Sequence, residues 1–282
     1  MSMRPLADQT VLITGSTDGL GRALAVELAR DGARLLLHGR DPERLQDTET
    51  EIRDRVGNTE LRSYVADFSA MDDVGELAAQ VARDHDRLDA LVNNAGIGTN
   101  LPGDGARLES RDGYELRFAV NYLAHFLLTR SLLPLLVRSP PARVVNVSSA
   151  GQAPIDFDDV MLERDYSGIQ AYCQSKLAQV MFTFDLAGEL DADAVTANGL
   201  HPATYMPTKI VAAAGVQPAS SLEEGVTATL RLVADPDLDG ITGRYFDRQR
   251  ESRAHSQAYD PDARRQLREL SERLVRHPAR RQ

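Results

Sequence analysis

The stretch TVLITGSTDGLGRALAVELARDG (residues 10–32) decides the fold. Its first five residues are apolar or β-branched and too few for a helix, so TVLIT (10–14) reads as a buried strand. Gly15, Gly19 and Gly21, spaced G-x-x-x-G-x-G, break that strand at once. LGRALAVELARDG (20–32) then carries apolar residues at helical spacing and stops on Gly32. A strand that turns through glycines into a helix brings backbone N–H groups and a helix N-terminus to one point, with no side chains in the way. Such a turn can cradle a pyrophosphate, although glycines also serve a tight turn that binds nothing.

The same alternation continues outward from this turn. ARLLLHG (33–39), LRSYVAD (61–67), LDALVNN (88–94), ARVVNVS (142–148) and AVTANGL (194–200) read as strands. Helices are expected at 41–57, where Asp-Pro starts and Gly57 stops, at 71–85, at about 112–137 and across 170–190. Near-continuous apolar strands alternating with helices imply a parallel sheet covered on both faces. No repeat, low-complexity tract or linker interrupts the pattern. The expectation is one doubly wound α/β (Rossmann) domain over residues 1–282, with about seven strands and a helical C-terminal extension.

Composition narrows the function classes. With 42% hydrophobic and 26% charged residues the sequence is that of an ordinary globular protein. A formal charge of −10 argues against nucleic acid as the main partner, because such binders present a basic face. The one cysteine, Cys173, excludes an internal disulfide and suits a reducing compartment. MSMRPLADQT (1–10) lacks a signal-peptide core and no apolar run reads as long enough to span a membrane, so a cytoplasmic location is expected. No grouping of His, Cys and carboxylates suggests a metal site.

The chemistry concentrates at strand ends. In LLLHGRD (35–41), Arg40 offers a planar fork that suits a ribose 2′-phosphate, where an acidic residue would accept a free 2′-hydroxyl. In an arginine-rich chain it also reads as a solvated loop side chain, and Asp41 reads as the N-cap of the next helix. NNAG (93–96) suits backbone packed close to a ligand, or simply a turn. Ser148 and Ser149 end the fifth strand in NVSSAG (146–151). In AYCQSKLA (171–178), Tyr172 and Lys176 are one turn apart on one helix face. A free phenol titrates at about 10, and a neighbouring ammonium lowers that value towards a working range. A serine hydroxyl at the strand end can steady a substrate carbonyl oxygen. Lys176 stands out because Lys209 is the only other lysine among 32 lysines and arginines. Alone, a Y-x-x-x-K match would arise by accident in about 6% of such chains.

Together, in this order and over nearly the whole chain, these motifs resemble the short-chain dehydrogenase/reductase family. They are T-G-x-x-x-G-x-G at Thr14, Gly15, Gly19 and Gly21, N-N-A-G at 93–96, Asn121 in NYLAHF (121–126), the strand-end serine, and Y-x-x-x-K. The resemblance implies hydride transfer at a nicotinamide, with Tyr172 as the acid/base. It implies that Lys176 lowers the tyrosine pKa and holds ribose hydroxyls, and that Ser149 polarises the substrate oxygen. Asn121 would break helix bonding and anchor a water in a proton relay to Lys176. For NADP(H) it implies contacts from Gly15, Ser16, Thr17, Gly19, Leu20, Gly21, Arg40, Asp67, Phe68, Asn94, Ala95, Gly96, Tyr172, Lys176, Pro202 and Thr204, with Asp67 meeting the adenine.

AYCQSKLAQVMFTFDLAGEL (171–190), LLLHGRD and GRYFDRQRESRAHSQAYDPDARRQL (243–267) look most like the retinol-dehydrogenase-like branch. That likeness implies an apolar small-molecule ketone or aldehyde and its alcohol, with reduction as the cellular direction. Two departures bear on the site. DFDDVMLERDYSG (156–168) is inserted between Ser149 and Tyr172, and HPATYMPTK (201–209) has Ala203 where many members have glycine, with a further proline at 207. The roles of Thr204 and Thr208 therefore stay open. Segments 152–170, 201–220 and 247–282 are expected to cover the substrate. Tyr166 reads as pocket wall, His201 as structural, and Cys173, about 100° round the helix from Tyr172, as small packing. Family members often form a homodimer or tetramer through the two long helices, which an extended C-terminus can obstruct. The alternative is a redox sensor that holds NADP(H) without chemistry; the complete tyrosine–lysine set argues against it.

Overall fold

Strand β1 (Thr10–Ile13) is buried along its whole length. Its side chains alternate between two cores: Val11 and Ile13 join one apolar cluster and Leu12 the other. β2 (Arg34–Gly39) does the same, with Leu35 and Leu37 on one side and Leu36 on the opposite one. A strand that is apolar on both faces needs cover on both. On one face lie α1 (Gly19–Arg30), α2 (Pro42–Val56) and α8 (Leu222–Ala234), which contribute Leu24, Ile52 and Leu232. On the other lie α3 (Met71–Asp84), α5 (Ala124–Val137), α6 (Gly168–Glu189) and α9 (Pro261–Arg276), with Leu77, Leu132, Leu177 and Leu267. This computed structural model describes residues 3–57, 60–100 and 106–276, so the expected covering residues 277–282 lie outside the described residues.

The remaining strands are β3 (Leu61–Val65), β4 (Ala90–Asn93), β5 (Ala142–Val147), β6 (Val195–His201), β7 (Tyr245–Asp247) and β8 (Arg250–Ser252). They form one sheet in the order β3-β2-β1-β4-β5-β6-β7-β8. Neighbours run parallel through β7, and β8 pairs antiparallel with it. The strand order reverses between β1 and β4, which places the ligand crevice of such sheets beyond their carboxyl ends. The doubly wound architecture is as expected, with eight strands in place of about seven. The eighth, Arg250–Glu251–Ser252, is exposed and has no apolar pattern to announce it. The C-terminal extension is thus a short hairpin followed by a helix.

Asp41 caps α2 as expected, its carboxylate accepting from the amides of Glu43 and Arg44. The long helix before β5 is less regular than its sequence suggested. It begins as α4 (Leu116–Phe118), widens into a π-turn over Ala119–Leu123, and continues as α5. Contrary to expectation, Leu116–Val137 is long and apolar enough to cross a membrane, but most of it is buried inside the fold. A core helix apolar on nearly every side passes the same test. α9 packs along α6 and the π-turn: Tyr122 and Ser271 share a 2.7 Å hydrogen bond, and Arg268 pairs with Asp185 at 2.9 Å.

Candidate functional site

At the strand-order reversal, two sequence motifs fold into one turn. The Thr14 hydroxyl accepts the amides of Asn94 and Ala95, each at 2.9 Å. The Asn94 side chain donates to the carbonyls of Thr14 (2.8 Å) and Gly15 (3.2 Å). Gly15 has a φ of +65°, and a Cβ on it would lie 2.8 Å from the Ala95 backbone. A Cβ on Gly21 would strike the Gly15 carbonyl oxygen and stand 2.5 Å from the Asn94 amide nitrogen. These two glycines are therefore required by the chain's own packing. Gly19, at φ +48°, opens α1 and faces the Thr208 methyl across the crevice.

The expected cofactor residues divide by where their side chains point. Ser16 is buried, its hydroxyl donating to the His38 carbonyl at 3.1 Å. Leu20 and Phe68 put their side chains into the cores. Thr17 packs beside Gly39, and Arg40 is exposed at the tip of β2. Asp67 accepts from the Ser69 amide at 2.9 Å and pairs with Arg111 at 3.3 Å. Gly96 lies beside Asn121 and Lys176. Pro202 is buried, and the Thr204 hydroxyl is 3.0 Å from Nε2 of His201, a histidine whose burial holds its pKa down.

Several groups here carried no sequence signal that set them apart. His38 receives the Gly15 amide on Nδ1 (3.2 Å) and donates from Nε2 to the Ala66 carbonyl (3.1 Å). Its ring stacks on Phe68 at 4.2 Å, and burial lowers its pKa to about 4. Arg44 donates to the Thr17 carbonyl and to Asp18, whose carboxylate also meets Lys209 at 3.1 Å. Burial alone would raise the Asp18 pKa, but Lys209 and Arg44 hold it below the usual value. Lys209 opens the short helix α7 (Lys209–Ala213), so this pair ties the 201–213 segment to the glycine turn.

On the substrate side of the turn, Asn121 sits in the π-turn, which supplies the local break in helix bonding that was expected of it. Its side chain accepts from the Ile97 amide (2.8 Å) and donates to the Ser175 hydroxyl (3.0 Å). Its carbonyl meets Nδ1 of His125 at 2.9 Å, a partner the sequence reading did not foresee. Ser148 is turned inward, its hydroxyl donating to the Lys176 carbonyl at 2.7 Å. Ser149 instead lies towards Tyr172: its hydroxyl and the edge of the Tyr172 ring stand 3.5 and 3.9 Å from the point where a Gly151 Cβ would be. Burial pushes the Tyr172 pKa up, opposed by the neighbouring Ser149 hydroxyl. This differs from the lowered phenol pKa expected from Lys176: burial of the phenol is the largest effect on it, and burial also pushes the lysine down to about 7. Its nitrogen donates to the Val147 carbonyl (3.1 Å) and to Gln179 (2.9 Å).

Cys173 packs at the base of the serine loop. Its sulfur and the Ser149 hydroxyl both lie 3.5 Å from the point where a Gly151 Cβ would stand, so it flanks the serine loop. Tyr166, expected as pocket wall, has polar partners: its hydroxyl takes a hydrogen bond from buried Arg117 and lies 3.3 Å from Glu115. The C-terminal extension also reaches the site. The Gln257 side chain accepts from and donates to the Ile155 backbone (2.7 and 3.0 Å), and the His255 amide donates to Gln152.

Residues 9–218 match the family described as short chain dehydrogenase. Human retinol dehydrogenase 13 is 33% identical over 97% of this chain and 86% of its own length. Human retinol dehydrogenase 14 is 35% identical over 95% and 86%. Human polyprenol dehydrogenase is 31% identical over 93% and 84%. Among solved structures, an uncharacterized protein from Mycobacterium paratuberculosis superposes with a TM-score of 0.77 at 30% identity, covering 97% of this chain and 96% of that one. An Escherichia coli CFT073 short chain dehydrogenase complexed with NADPH gives 0.70 at 29% identity, over 86% and 97%.

Proposed function

Because the chain belongs to the short-chain dehydrogenase/reductase family, in its retinol-dehydrogenase-like branch, we propose that it interconverts an apolar ketone or aldehyde and the corresponding alcohol with NADP(H). The observation that carries this reading is the meeting of Ser149 and Tyr172 beside Gly151, with Lys176 buried one helical turn further along and 5.8 Å from the tyrosine ring centroid. The turn fits a dinucleotide: its backbone is bare at Gly19, it opens a twelve-residue helix, and Arg40 stands exposed at the adjacent strand tip. The complex of a similar chain with NADPH supports the choice of cofactor. When bound, the nicotinamide supplies or accepts the hydride.

The chain's own residues then have distinct tasks. Ser149 orients the substrate oxygen against Tyr172, and Tyr172 gives that oxygen its proton in reduction and takes it back in oxidation. Lys176 stabilises the phenolate left behind, and Asn121 fixes the loop at Ile97 that borders them. Retinol and polyprenol dehydrogenases among the relatives support an apolar substrate. We read the described segments 152–170, 201–220 and 247–276 as substrate cover within one domain, and the setting as cytoplasmic, supported by burial of the most apolar helix. Self-association through the long helices would have to accommodate α9. A panel of apolar ketones, aldehydes and alcohols, followed by NADPH absorbance, tests the reading; no turnover with any of them would overturn it.

A further inference from the structure

Lys176 is buried, and an ammonium in such a place needs acceptors for its protons. Two are in reach: the Val147 carbonyl at the end of β5 (3.1 Å) and the side-chain oxygen of Gln179 (2.9 Å). Gln179 lies three residues further along α6, on the same side of the helix, and is 1% exposed. A lysine nitrogen only donates, so the glutamine must turn Oε1 towards it and Nε2 away. Nε2 then lies 3.4 Å from His125 Nδ1.

That histidine is itself held from both sides. The Asn121 carbonyl, 2.9 Å from Nδ1, can only accept, and the Thr14 hydroxyl stands 3.1 Å from Nε2, with the Val92 carbonyl at 3.3 Å as its other acceptor. Nδ1 therefore carries the ring proton and donates it to that carbonyl, which leaves Nε2 as the acceptor facing Thr14. Gln179 is thus lodged between the lysine and a ring fixed by the glycine turn and the π-turn.

We propose that Gln179 is a positioning residue for Lys176, its amide oxygen holding the lysine nitrogen in the corner between β5 and α6 and helping to keep it charged. This rests on the reading of Lys176 as the lysine of the reaction. The titratable groups facing it are Tyr172 on its own helix, with the ring centroid 5.8 Å from Nζ, and His125 on α5. The ends of β4 and β5 present Gly96, the Val147 carbonyl and Ser148, and among the described residues neither hydrogen bond of its nitrogen goes to a carboxylate. Burial is the cause that lowers Lys176 to about 7, which leaves its charge sensitive to a single neighbouring dipole.

With only two lysines in the chain, protein labelled with carbon-13 lysine gives two side-chain signals, and Lys209→Arg identifies which belongs to Lys176. Gln179→Glu should move the Lys176 titration up, and Gln179→Met should move it down, each by about one pH unit. The two variants are close in volume to glutamine, and either one that folds, as judged by thermal denaturation, carries the test. The high-pH limb of kcat/KM for reduction of decanal by NADPH should move in the same direction. A titration that stays within about 0.3 pH unit of the parent in the folded variants overturns the inference whatever the activity. Lys176→Met separates the two readings: full turnover in that variant overturns the role of the lysine, while the labelled-lysine titration still decides the role of Gln179.

Discussion

The hydroxyl of Tyr245, in β7, donates to the backbone carbonyl of Ser149 at 2.9 Å. A strand near the C-terminal edge of the sheet therefore holds the residue proposed to face the substrate oxygen, 96 positions earlier in the chain. Tyr245→Phe removes one neutral hydrogen bond, a loss of about 1 kcal/mol, and should lower kcat several-fold with little change in thermal stability. Steady-state kinetics beside a melting curve check this; unchanged kcat would show that the strand does not steady the serine.

Tyr172→Phe keeps the ring and removes the proton. Turnover should fall by about three orders of magnitude or more, while NADPH affinity, read by fluorescence titration, stays within about threefold. Retention of turnover within a few-fold would remove Tyr172 from the reaction.

Arg40→Ala should weaken NADPH by about ten- to a hundredfold and leave NADH nearly unaffected, because a guanidinium–phosphate contact is worth about 1.5–3 kcal/mol. Equal losses for the two dinucleotides, measured by titration, would take Arg40 out of cofactor selection. Arg44, bonded to Thr17 and Asp18, is then the next cation to replace.

Arg117 and Glu115 are both buried, and Arg117 also donates to the Gly98 carbonyl at 2.8 Å. Arg117→Met leaves a buried carboxylate without its cation and should cost about 3–5 kcal/mol in urea denaturation. Adding Glu115→Gln should recover part of that loss; an equally unstable double variant would show that the charge is not the cause.

His38 and His125 are buried neutral, with pKa values lowered by burial from 6.5 to about 4 and about 3. Their folded-state values lie below the unfolded one, so the unfolded chain binds more protons as the pH falls. Stability is full above about 6.5 and is lost on acidification, by about 1.4 kcal/mol per pH unit for each histidine, down towards those lowered values. Urea midpoints measured between pH 7 and pH 4.5 (about the range where the parent stays folded) should fall, and His38→Gln should flatten the slope. An unchanged slope would mean that His38 takes up its proton inside the fold.

The amino-acid sequence by itself determined the alternating strands and helices, the glycine turn, NNAG and the Tyr172–Lys176 pair. Each is legible because the residues that make it are neighbours in the chain or one helical turn apart, where side-chain period and backbone freedom leave a local mark. The tertiary structure then showed how Ser149, which the family resemblance had already picked over Ser148, comes beside the Tyr172 ring while Ser148 turns to the Lys176 carbonyl, because successive residues of an extended chain point to opposite sides. It alone joined Thr14 to Asn94, Lys176 to Gln179, and Tyr245 to Ser149. Those contacts have no periodic signature. They depend on which buried polar groups lack a partner once distant segments close together, and an arginine, histidine or glutamine looks the same in the sequence whether or not it fills that need.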